Sequence, residues 1–134
     1  MQDPKVSHLL AVKRIMRYLH GTEHFGVLLS KGNEELMGYS DADWCGDKID
    51  RRSTAGYVFF LGKAPISWSS TKEPVVALSS CEAEYIAASE AACQAIWLCS
   101  LLKELGINQR CKLGLLVGNQ SVINLAKHPA SHKE

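Results

Sequence analysis

Hydrophobic positions change their period along the chain, and each change marks an element. Between His8 and Leu19, the residues Leu9, Val12, Ile15, Met16 and Leu19 recur at intervals of three and four, while Lys13, Arg14 and Arg17 fall on the other side. This is the pattern of an amphipathic helix, and Gly21 stops it. Phe25 to Leu29 reads as a short strand closed by Lys31, Gly32 and Asn33. From Leu36 the texture shifts to short aromatic and β-favouring runs, Leu36 to Asp41, Gly56 to Leu61 and Ile66 to Ser69, separated by polar or glycine-containing turns. Three antiparallel strands satisfy that pattern.

Ser79 stands three residues before Glu82, the spacing of a capping box, and opens a long helix that runs to Gly106. Projected at about 100° per residue, Glu84 shares a sector with Ala88, Ala91, Ala95, Leu98 and Leu102, the stripe expected to face the core. Glu82 falls elsewhere and reads as a cap. A charge at a core edge costs several kcal/mol, roughly, unless it is paired or coordinated, so Glu84 is a candidate functional group. Leu113 to Val117 then reads as a buried strand, and Asn119 or Ser121 can cap a short helix that reaches Lys127 and ends before Pro129.

After the opening helix the expected order is therefore β, β, β, α, β, α. A long helix between two strands of one sheet imposes a right-handed crossover, which makes the last strand parallel to one of the first three. If it lies beside the first, the carboxyl ends of both meet at a topological switch point, where open α/β sheets place their sites. Asp41 and position 118 would then be neighbours, close to the first turn of the long helix.

The chain has 134 residues, 46% hydrophobic and 22% charged, which suits one domain. The net charge of +1 excludes a global positive field, so any nucleic-acid contact needs a local patch. The five cysteines are odd in number and form no CxxC pair, and they read as reduced. His20 and His24 flank Gly21 without a carboxylate or thiolate set and read as a solvated turn. Met1 is not followed by a signal-peptide pattern, and Glu84, Glu90, Gln94 and Lys103 interrupt the long helix, so no stretch is expected to span a membrane. The expectation is an intracellular, cytoplasmic protein or a piece of one, with no membrane partner.

Carboxylates gathered from strand ends and a helix start form a hard, oxygen-lined pocket that suits Mg²⁺ or Mn²⁺ rather than zinc. Phosphodiester hydrolysis uses such pockets with two ions about 3.5 to 4 Å apart, which two carboxylates cannot easily hold. Asp43 follows Asp41 by two positions and is expected to serve the adjoining turn.

Several motifs agree in order and spacing with one family. They are Tyr39-Ser40-Asp41-Ala42-Asp43-Trp44, Asp50-Arg51-Arg52-Ser53-Thr54-Ala55-Gly56-Tyr57, Ile66-Ser67-Trp68-Ser69-Ser70, Leu78-Ser79-Ser80-Cys81-Glu82-Ala83-Glu84-Tyr85-Ile86-Ala87 and Asn119-Gln120-Ser121. Together they resemble the ribonuclease H region of copia-type LTR retrotransposon Pol polyproteins, particularly plant ones. Ala11 to Leu19 resembles the segment joining the reverse transcriptase domain to that region. The resemblance implies residues 1–34 as a connection segment and 35–134 as a ribonuclease H-like domain truncated at its C-terminus. It implies an α/β (α+β) fold whose mixed sheet has three antiparallel strands plus parallel strands, with helices on both faces.

The resemblance further implies cleavage of the RNA strand of an RNA·DNA hybrid with two Mg²⁺ (or Mn²⁺) ions, next to the reverse transcriptase domain of the same polyprotein, within a virus-like particle. Asp41 and Glu84 match the family's catalytic and metal-binding acids. Where the family has an aspartate before Asn-Gln-Ser, this chain has Gly118, and it stops at Glu134 before a final acidic ligand. A degenerate, non-cleaving domain is therefore expected, with a nucleic-acid-binding or interaction module as the alternative. Ser40, Trp44, Arg52, Ser53, Ser80, Asn119 and Gln120 are the expected substrate contacts, being polar or stacking groups suited to phosphates and the 2′-hydroxyl.

Overall fold

The β-favouring runs form strands longer than their apolar cores. In the computed structural model, which describes residues 3–29, 35–107 and 113–128, β1 (Leu36–Asp43), β2 (Thr54–Leu61) and β3 (Ala64–Lys72) pair antiparallel, each with the next. Gly62, at φ 61°, lets the chain reverse between β2 and β3, where Leu61 pairs with Ala64. β4 (Leu113–Val117) joins the other edge of β1 in parallel, giving the order β3-β2-β1-β4. Helix α1 (Val6–Gly21) precedes the sheet, α2 (Ser80–Glu104) makes the crossover from β3 to β4, and α3 (Gln120–Lys127) follows β4. The expected order and the parallel placement of the last strand beside the first are both observed.

Alternation along β1 decides which face is buried. Leu36, Gly38 and Ser40 point to the core, and Gly38 leaves room for the Phe59 ring, whose Cε1 would lie 2.4 Å from a Cβ at that position. Leu36 and Phe59 pack with Ala91, Ala95, Leu98 and Leu102 of α2. The buried row on α2 is Ala83, Ala87, Ala91, Ala95, Leu98 and Leu102. Small side chains along that row let the helix axis approach the sheet closely. Compared with the expected stripe, the row begins at Ala83 and Ala87 rather than Glu84 and Ala88, which are half-buried on its flank. An i, i+4 row runs at a slant to the helix axis, so a flat angular projection cannot tell which of two adjacent rows the sheet selects.

Four expectations are corrected, and one helix is left without packing. Phe25 to Leu29 is exposed and takes no part in the sheet formed by the described residues. Among the described residues the helices do not cover both faces. Both α2 and α3 lie over the face carrying Leu36, Leu115 and Val117, while Tyr39, Trp68 and Leu116 on the other face are exposed. Helix α2 is by length and composition apolar enough to cross a membrane, despite its polar interruptions, while one row of it packs against the sheet. Cys99 is disulfide-bonded, whereas Cys45, Cys81 and Cys93 are free. Bridging depends on proximity in space, on which sequence spacing was silent. Finally, α1 buries none of its residues and makes no packing contact with the other described elements, so its apolar stripe is exposed.

Replacing Phe59 by Ala removes the largest fully buried side chain among the described residues and is expected to cost about 3–5 kcal/mol. The midpoint and slope of urea unfolding measure this, and a loss below 1 kcal/mol would place the core elsewhere.

Candidate functional site

The parallel ladder between β1 and β4 sets the site. Ser40 is level with Val117, so the next residues, Asp41 and Gly118, emerge side by side at the carboxyl ends of the two strands. Both line an open groove of about 620 Å³ that also includes Tyr39, Tyr57, Val58 and Leu116. Glu84 comes from the start of α2, which is held in two ways. The Ser79 hydroxyl accepts from the Glu82 amide at 3.1 Å, and the Glu82 carboxylate accepts from the Leu78 amide at 2.7 Å. The second bond reaches one residue further back than an ideal capping box. The Trp44 indole then donates to the Ala77 carbonyl at 3.2 Å, tying the approach to α2 to the end of β1.

Asp41 and Glu84 act on one another directly. Burial pushes the Glu84 carboxyl above the usual range, and the Asp41 charge and its capacity to share a hydrogen bond push it further. Glu84 Oε2 is buried without a hydrogen-bond partner, and so is the hydroxyl of Ser40 beside Asp41. A Cβ at position 118 would lie 4.0 Å from Glu84 Oε1 with nothing nearer among its neighbours. A side chain there would approach the Glu84 carboxyl. No group of three or more His, Cys, Asp or Glu capable of holding a metal occurs among the described residues. The donor set thus fits part of the shell of one hard cation and does not fit two.

The other expected contacts divide. Ser40 lines the groove, and Asn119 directly follows Gly118, but the Asn119 side chain caps α3 by accepting from the Ser121 amide at 2.9 Å. Trp44 is half exposed beyond its indole tether, and Arg52, Ser80 and Gln120 are exposed. None of these four lines the groove. Ser53 is corrected: it is fully buried, and its hydroxyl accepts from the Cys45 amide at 3.2 Å, so it shapes the turn and is closed to substrate. Asp43 serves the turn as expected, accepting from the Thr54 amide. Lys72 joins the same region by pairing with Asp47 and, at 2.8 Å, with Asp50, which raises the lysine and lowers both carboxyls. Tyr39 was missed as a groove residue, although strand alternation places it on the Asp41 face.

No protein-family model and no solved structure matches the chain. Over 133 residues, 98% of the chain, it is 47% identical to the retrovirus-related Pol polyprotein from transposon RE1 of Arabidopsis thaliana. Its identity to the Pol polyprotein from transposon RE2 of the same plant is 44% over the same length. Over 97 residues, 72% of the chain, it is 50% identical to the secreted RxLR effector protein 161 of Plasmopara viticola, 68% of which is covered. The chain spans 9% of the length of each of the two Pol polyproteins.

Substituting Asp41 by Asn removes the Asp41 charge that helps to raise Glu84 and leaves burial, the largest influence, in place. The Glu84 midpoint, read from its side-chain carboxyl carbon by NMR, is expected to fall while staying above the ordinary glutamate range. An unmoved midpoint would show that the two acids are not coupled.

Proposed function

We propose a function from the premise that this chain belongs with the retrovirus-related Pol polyproteins of plant transposons, as a Pol-derived region. It is a ribonuclease H-type domain built to cut the RNA strand of an RNA·DNA hybrid, and it is catalytically impaired because Gly118 replaces an acidic ligand. The observation that carries this reading is the interaction of exposed Asp41 with half-buried Glu84 beside position 118, where a Cβ would lie 4.0 Å from Glu84 Oε1.

In this reading Asp41 and Glu84 would hold Mg²⁺ or Mn²⁺, and such an ion supplies an activated water and neutralises charge at the scissile phosphate. Coordination needs both carboxylates ionised, so cation binding is linked to loss of the Glu84 proton. Ser40 lines the groove, but its hydroxyl is buried on the core side of β1 and is closed to a phosphate or a 2′-hydroxyl. Trp44, Arg52, Ser80, Asn119 and Gln120 extend the contact surface around the groove, and Ser53 is left out because it is buried. The reading divides the chain into a connection segment, 1–34, and the nuclease-like domain from residue 35. The exposed apolar stripe of α1 would then dock on the reverse transcriptase domain of the same polyprotein, in a cytoplasmic virus-like particle. A non-catalytic hybrid-binding or interaction module is the second reading, favoured by the absence of a third acid among the described residues.

A labelled RNA·DNA hybrid with Mg²⁺ or Mn²⁺ separates these readings. The chain itself is expected to give no cleavage above background. Gly118→Asp, which meets no clash and no left-handed φ, is expected to raise the rate by at least ~100-fold, equivalent to about 2.7 kcal/mol of transition-state stabilisation. Asp41→Asn should abolish that gain. Cleavage by the unmodified chain that Asp41→Asn removes would overturn the impairment, and hybrid binding without rescue would favour the second reading.

A further inference from the structure

Glu73 is a buried acid that the groove chemistry does not use. It follows β3 directly, and its amide donates to the Ser53 carbonyl at 2.9 Å, extending the ladder one step into the corner that leads to α2. Its residue exposure is 1%, and neither carboxyl oxygen has a hydrogen-bond partner of proper geometry. Every charged group that acts on it is acidic: Glu90 and Glu82 from α2 and Asp43 from β1. The nearby Ser53 hydroxyl offsets them only in part. Asp43 and Glu82 are committed to the Thr54 and Leu78 amides, so neither can turn away to relieve an anion at Glu73. An unpaired carboxylate here would be a buried charge among like charges, which folding strongly disfavours.

The same corner controls how α2 begins. Ala77 is buried and accepts the Trp44 indole bond, while Val75, Val76 and Leu78 around it are exposed. Glu73 at one end and the Ser79 cap at the other anchor the segment.

We propose that Glu73 is a pH-sensitive latch: as a neutral acid it seals the β3–α2 corner, and its ionisation drives the side chain outward and frees that corner, with its Trp44 tether, from the end of β1. The inference rests on the buried carboxyl and its acidic surroundings and is independent of the hybrid-cleavage reading. Burial, more than the neighbouring acids, raises Glu73 above the ordinary glutamate range. A carboxyl whose folded value is raised favours the fold fully below its unfolded value. That contribution is lost as pH rises through the folded value, the reverse of a salt-bridged carboxylate.

The test compares the full chain with Glu73→Gln between about pH 5 and pH 8, by thermal melting and by the indole N–H resonances, with Trp44 assigned from a Trp44→Phe spectrum. Glu84 is present in both proteins, so their difference isolates Glu73. The variant is expected to melt ~4 °C or more above the wild type at pH 8, with the gap closing toward pH 5. The Trp44 resonance should move with pH in the wild type and stay in place in the variant. Parallel melting curves, or a Trp44 resonance that moves equally in both, would overturn the latch. Should the variant not fold, the Glu73 side-chain carboxyl carbon in the wild type decides: a midpoint in the ordinary glutamate range overturns the proposal, and a raised one supports it.

Discussion

The parallel pairing of β4 against β1 is the constraint on which the rest of the structure depends. It follows from the length of α2, which must carry the chain from the far edge of a three-stranded antiparallel sheet back over its face before a further strand can be added. The row Ala83, Ala87, Ala91 and Ala95 makes that return path close, and Leu98 and Leu102 complete the seal over Leu36 and Phe59. Without the pairing, β1 would have no neighbour on that side, and Gly118 would not be set beside Asp41.

Two carboxyls lie in low-dielectric surroundings with raised proton affinity, and the two cases differ in kind. Glu84 is only half-buried and acts on a second acid, Asp41, which lines the groove. Glu73 is enclosed, the charged groups acting on it are all acids, and the neutral form is its answer. Burial is the larger influence in both, so the distinction rests on what lies within reach of the oxygens rather than on the direction of the shift. The electronegative corner around Asp43, Glu82 and Glu90 is a consequence of capping: two of these acids are held by backbone amides that the loop and helix ends would otherwise leave unpaired.

Large apolar surface remains outside this core. The stripe of α1 and the sheet face bearing Tyr39, Trp68 and Leu116 are both exposed. In a chain that spans 9% of its Pol relatives, surfaces of this kind are where neighbouring segments of a longer protein would pack. The groove opens onto that same uncovered face through Tyr39 and Leu116.

Local chemistry was legible in the residues themselves. Ser79 and Asn119 were readable as caps, Gly62 and Gly106 mark a turn and a helix end, and the alternation through Leu36 to Asp41 gave a strand and its faces, because each depends on neighbours within a few positions. The motif around Asp41 and Glu84 and the glycine at 118 were equally readable, as an ordered string of residue types. Tertiary contact alone decided the rest. Whether the sheet lay under Ala83 or under Glu84 depended on the slant of helix packing, and Ser53 became a buried turn residue because the Cys45 amide needed its oxygen. Nothing in the pattern of the chain marks Glu73 as buried, since burial belongs to the assembled structure and leaves no period in the chain.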